Sequence, residues 1–192
     1  MRAAPALLLL ALAAGCAPPA DAPGAGTAGW LPLAEALRRL PAEAAGFRRG
    51  SAVDAPGLGP EARTVDYATP SRAAAAQVSL FDRGNPAPDE AAAAVELDAA
   101  VRDATALPVE RTGRSLVELS RRQVPVPGGG PLSCAVLDGR FGRNPVERHV
   151  CLGVAGGRLL RVQVTVPDVP LRGGPVDPDA FAVQVASALR AR

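Results

Sequence analysis

Residues 132–154 read LSCAVLDGRFGRNPVERHVCLGV, and this stretch decides the fold. Two alternating runs, residues 132–139 and 146–154, flank a segment of glycine, arginine, asparagine and proline, the pattern of two β-hairpin arms around a turn. A turn centred on Gly142 and Arg143 sets Cys134 opposite Cys151, Val136 opposite His149 and Asp138 opposite Glu147. Cα atoms of directly opposed antiparallel residues lie about 4.5 to 5.5 Å apart. A disulfide spans about 4.4 to 6.8 Å between Cα atoms, so the register permits a cross-strand bond. One face of the hairpin then carries Cys134, Asp138, Glu147, His149 and Cys151. The other carries Ala135, Leu137, Val150 and Leu152, which suit a core.

Outward from the hairpin, residues 159–166 alternate most cleanly. Leu160, Val162, Val164 and Val166 face one way, and Leu159, Arg161, Gln163 and Thr165 the other. Strand-like runs also occupy residues 47–53, 63–68, 74–82 and 115–124. Leu33, Ala36, Leu37 and Leu40 recur at helical spacing until Pro41 ends the pattern. Asp89 and Glu90 open a longer helix with a stripe of Ala94, Leu97, Val101 and Ala104, stopped by Pro108. Asp177 caps a last helix with Pro178 at its first position, the place where proline is favoured. Phe181, Val185, Ala188 and Leu189 form its apolar face, and Arg190 and Arg192 fall at its negative end. Strands with one polar face imply one wet side. The expected class is therefore α+β: a mostly antiparallel sheet of about six to seven strands with two or three helices packed on one face.

Composition limits the partners. All 21 basic residues are arginine, set against 19 acidic residues, and no like-charge run exceeds an Arg-Arg pair. That balance does not make the basic surface of a nucleic-acid binder, so no nucleic-acid partner is expected. Aromatics are 3% of the chain, which argues against stacking on sugars or bases as a main binding mode.

The N-terminus supplies an address. Arg2 precedes an apolar run, Ala6 to Ala14, and Ala13, Ala14 and Gly15 lead into Cys16. The run falls well short of the roughly 20 residues a membrane helix needs. A charged start, an apolar centre and a small-residue end are the parts of a secretory signal. The segment resembles the signal of a bacterial lipoprotein precursor with a lipobox ending at Cys16, although Ala13 stands where leucine is usual. An ordinary small-x-small cleavage site also fits these residues. The lipoprotein resemblance implies removal of residues 1–15 and lipidation of Cys16 by diacylglyceryl and a further acyl chain such as palmitate. More than one chain gives stable attachment. Ala17 after Cys16 implies an outer-membrane destination facing the periplasm. Residues 16–29 hold alanine, proline, glycine and aspartate with no large apolar side chain, the composition of a flexible tether. Residues 30–192 then form a single α+β domain, and nothing in them carries the motif of a characterised family.

Three cysteines are an odd count for an exported chain. If Cys16 carries lipid, Cys134 and Cys151 remain as a pair for a disulfide in an oxidising compartment. Two further readings compete for the same face. Cys134, His149 and Cys151 offer soft thiolates and an imidazole suited to copper or zinc. Alternatively, His149 activates a free thiol, which needs a low-pKa thiolate. His149 is the one histidine, and no Gly-x-Ser-x-Gly elbow is present. Gly128–Gly130 is not followed by Lys-Ser/Thr and does not open a helix, so it reads as a loop rather than a phosphate cradle. The expectation is a lipid-anchored cell-envelope protein without a cofactor, a binding or structural module rather than an enzyme, attached to the membrane through Cys16 and facing another envelope protein. The alternative is a periplasmic metal-handling or thiol-redox protein using Cys134, His149 and Cys151.

Overall fold

Local chemistry sets the helices. The first, α1 (Leu33–Arg39), runs between Pro32 and Pro41 and carries a Glu35–Arg39 pair at 3.1 Å one turn apart. In α2 (Glu90–Thr105) the Asp89 carboxylate accepts from the Ala92 N–H at 2.8 Å, and an alanine-rich sequence of high helix propensity follows. In α3 (Pro178–Arg190) Asp177 accepts from the Ala180 N–H at 2.9 Å, with Pro178 in the first turn. The computed structural model describes residues 30–106, 113–168 and 174–191. The signal segment, Cys16, the 16–29 segment, Pro108 and Arg192 lie outside the described residues.

Among the described residues eight strands form one antiparallel sheet that curls as a half-barrel. They are β1 (Glu43–Ala44), β2 (Phe47–Asp54), β3 (Arg63–Ala68), β4 (Ala75–Phe81), β5 (Arg114–Val124), β6 (Leu132–Phe141), β7 (Asn144–Ala155) and β8 (Arg158–Pro167). Their order is β1-β2-β3-β4-β8-β7-β6-β5, two meanders joined where β4 pairs with β8. Seven of the eight occupy the runs read from alternation. The eighth, β1, is a two-residue edge too short to give a periodic signal, so the count of six to seven strands is corrected to eight.

The helices divide between the two faces, which corrects the expectation of one covered face. On one side α1 and α3 pack over Phe47, Val65, Tyr67, Val78, Leu160 and Val162. There the Phe181 ring lies 4.8 Å from Phe47 and 5.1 Å, edge-on, from Tyr67. Burial of a side chain of that size contributes about 1.5 to 3 kcal/mol. On the other side α2 covers Ala135, Leu137, Val150, Leu152 and Leu159. Ala93 and Ala100 join Leu97, Val101 and Ala104 in its buried stripe, whereas Ala94 is exposed. The hairpin face expected to be wet is small rather than polar near its centre. Cys134, Val136, His149 and Cys151 lie under the α3 side and are all buried, while Asp138 stays exposed.

The chain enters at one end of the strands. Trp30 lies over the buried guanidinium of Arg158 at 5.1 Å, and the Leu31 N–H bonds the Gly156 carbonyl at 2.9 Å in the β7–β8 turn. Gly157 there has φ +74, and a Cβ would sit 2.8 Å from the Trp30 Cα, so the turn accepts the incoming chain only with glycine. No helix among the described residues is long and apolar enough to cross a membrane.

Candidate functional site

The β6–β7 hairpin turns at Gly142 and Arg143 with Cys134 paired to Cys151, Val136 to His149 and Asp138 to Glu147. The two sulfurs are bonded, with Cα atoms 4.0 Å apart, and both residues are 2% exposed or less. In this bonded form neither sulfur is a thiolate. Among the described residues no group of three or more His, Cys, Asp or Glu side chains has the geometry to hold a metal.

His149 has a different employment. Arg122 Nη2 lies 3.1 Å from His149 Nδ1, and Glu147 Oε1 is bonded to His149 Nε2. A guanidinium only donates, so Nδ1 must accept and the ring proton sits on Nε2, donated to Glu147. Arg122 also grips Asp179 in the first turn of α3 with two bonds, Nε to Oδ2 at 3.1 Å and Nη2 to Oδ1 at 2.7 Å. The Glu147–His149–Arg122–Asp179 chain thus orients one arginine and docks the start of α3 on β5 and β7. With both ring nitrogens engaged and 6% exposure, His149 is placed to position Arg122 rather than to move a substrate proton.

The open site lies elsewhere. Helix α2 packs chiefly on β5–β8 and over Phe81 of β4, and among the described residues Asp66, Ala75 and Gln77 on the same face stay exposed. A groove of about 1120 Å³ remains at the end of the strands opposite Trp30. Pairing shows how the sheet builds it. One row across five strands reads Arg48, Ala68, Ala75, Thr165, Arg148, and the next reads Asp66, Gln77, Gln163. Two alanines at the middle leave the floor low, and arginines rise on both sides. Within the floor Gln77 Nε2 donates to Asp66 Oδ1 at 3.0 Å.

The β7 wall is the most organised part. Arg148 and Arg114 lie over the same ring, that of Phe141, at 4.9 and 4.8 Å from its centroid. Each is a cation–π contact worth about 0.5 to 1 kcal/mol where solvent remains. Arg148 Nε donates to Thr165 Oγ1 at 3.2 Å. Burial, followed by the charge of Arg114, holds the Arg148 guanidinium below its ordinary value. Across the groove Arg48 pairs with the exposed Glu43 at 3.0 Å, and Arg49 turns away to the Leu40 carbonyl at 3.1 Å.

The sequence-read residues and the groove are therefore separate. Cys134, His149 and Cys151 come together under α3, on the opposite face of the sheet. The groove residues carried a signal only in combination: Gln163 and Thr165 on the polar side of β8, and Arg148 brought beside Thr165 by strand pairing. No protein-family model matches the chain, and no curated protein matches it.

Proposed function

We propose that this chain is a bacterial lipoprotein, held in the cell envelope by acyl chains on Cys16, whose domain is a binding module working through the groove over β2–β4 and β8–β7. The outer membrane, on its periplasmic side, is the address the signal favours. The observation that carries the binding reading is the groove: a stretch of sheet face with polar and small side chains that no helix among the described residues covers. Clefts of this size with a few convergent polar groups are the usual form of a ligand site. The signal residues before Cys16 support the anchor. Support for a module rather than a redox or metal centre comes from the bonded sulfurs and the engaged imidazole.

Two measurements test this. The intact mass of mature chain extracted from membranes is expected to start at Cys16 and carry acyl chains, and Cys16→Ala is expected in the soluble fraction. An unlipidated mass from membranes overturns the anchor. For the groove, Ala75→Trp fills the floor, Ala75 being exposed there. Tagged protein recovered from detergent-solubilised envelopes should bring down a component that the Ala75→Trp form does not. Identical recovery by both forms overturns the groove as the binding surface.

A further inference from the structure

The charge of the groove narrows what it takes. Across the whole chain arginines and carboxylates nearly balance, 21 against 19. In the lining of the groove arginines outnumber carboxylates, Arg48, Arg49, Arg72, Arg114 and Arg148 against Asp66, with Glu43 pairing Arg48 at the rim. A cleft walled by one sign of charge focuses the field and concentrates counter-ions of the other sign.

Arg148 makes the argument specific. It is half-buried, its contacts are a hydroxyl and an aromatic face, and no carboxylate among the described residues pairs with it. A second guanidinium, Arg114, lies on the same Phe141 ring. Taking a cation partly out of water beside another cation costs free energy that a hydroxyl and a ring only partly return. A guanidinium presents a planar fork that matches a carboxylate or phosphate. Phe141 and Thr165 hold that fork in place before any ligand arrives, which is preorganisation rather than fold stabilisation.

Placement then selects the source of the anion. Trp30, the end nearest Cys16, sits at the β7–β8 turn, and the groove lies at the β6–β7 and β3–β4 turns, at the other end of the strands. We infer that the groove binds a soluble ligand with two or more oxyanion groups, carboxylate or phosphate, one of them received by Arg148 beside Arg114 and another by Arg72 of the β3–β4 turn. The inference rests on the groove being the binding surface. Gln77, Gln163 and Thr165 between the two cationic walls give hydrogen bonds to the polar body that joins the anionic groups.

The test uses full-length mature protein in uncharged detergent, titrated calorimetrically with citrate, pyrophosphate and inorganic phosphate as probes. Citrate and pyrophosphate are expected to bind more tightly than inorganic phosphate and to weaken as salt rises. Arg148→Gln should weaken them about tenfold, the usual scale for one charge-assisted bond. The same variant should keep or raise its Tm without ligand while losing the Tm increase that citrate gives the wild type. A fall in ligand-free Tm with unchanged citrate affinity makes Arg148 structural and overturns the inference. Failure of all three probes to bind, with Ala75→Trp still abolishing partner recovery, overturns the anionic ligand but leaves the groove reading standing. Binding of the Cys16→Ala form to phosphatidylglycerol vesicles, reversed by Arg148→Gln, overturns the soluble source in favour of a lipid headgroup.

Discussion

Tyr67 shows how one side chain reports the state of the core. Its ring is 2% exposed against Phe181, and its hydroxyl donates to the Pro41 carbonyl at 2.8 Å. Burial pushes its phenol up to about 12, with the nearby Arg49 charge acting the other way. An unfolded tyrosine loses its proton near 10. Between about pH 10 and 12 the native chain therefore holds a proton that the unfolded chain has lost. This stability is fully present below pH 10 and is lost as pH rises through the folded value, at no more than about 1.4 kcal/mol per pH unit. The chain has one tyrosine and no lysine, so ultraviolet titration of the phenolate and unfolding at several alkaline pH values read this group cleanly. Tyr67→Phe should remove that part of the slope while lowering stability at neutral pH by about 1 kcal/mol for the lost hydrogen bond. A native phenol titrating near 10 would mean the ring is not packed under α3. In the strand-like run of residues 63–68 a period of two puts Val65 and Tyr67 on one face, and that is a local property of the sequence. The ring that covers Tyr67 comes from Phe181 in the last helix, more than a hundred residues away, and no local pattern names it.

The β6–β7 hairpin is the element most fully legible in the sequence. A two-residue turn leaves no freedom of register, so pairing Cys134 with Cys151 followed from counting outward from Gly142 and Arg143. What alternation did not reveal was that both faces are covered. Cys134, Val136 and Cys151 are small enough for α3 to lie against, and His149 is paid for by Arg122 and Glu147, so a face that looked polar is an interior. The disulfide closes a loop with a sequence separation of 17 and constrains the unfolded chain. Replacing both residues, Cys134→Ala with Cys151→Ala, should lower stability by about 3 kcal/mol by the loop-entropy argument. Urea unfolding without reductant measures this as a lower midpoint. A midpoint equal to that of wild type would mean that the mature chain carries two free thiols, and thiol titration of the unreduced, denatured protein would then count them.

At the scale of the molecule, Gln163 and Thr165 on the polar side of β8 floor the groove with Asp66 and Gln77, whereas Ser79, Phe81 and Leu159 on the same face of the sheet are buried. The assembly of the groove was not readable, because it depends on β4 pairing with β8 across the whole second meander and on where α2 stops covering the sheet. The same topology fixes the direction in which the groove looks. Strand β7 has 12 residues, with Trp30 by its last residue and Arg148 the fifth from its start, about 23 Å away along the strand. A chain lipidated at Cys16 reaches Trp30 over at most about 50 Å of extended backbone. Deleting residues 18–27 cuts that reach to about 14 Å and brings the Trp30 end against the bilayer. If the groove opens at the far end, it stays clear of the surface. Lipidated protein reconstituted in neutral vesicles should then bind citrate within about twofold of the undeleted form, a difference below roughly 0.5 kcal/mol. A groove facing the bilayer would instead be blocked by the shortened connection, and citrate binding would be lost on vesicles yet kept in detergent. Loss confined to the vesicle measurement would reverse the assigned orientation and make the membrane surface itself the surroundings that Arg148 reads.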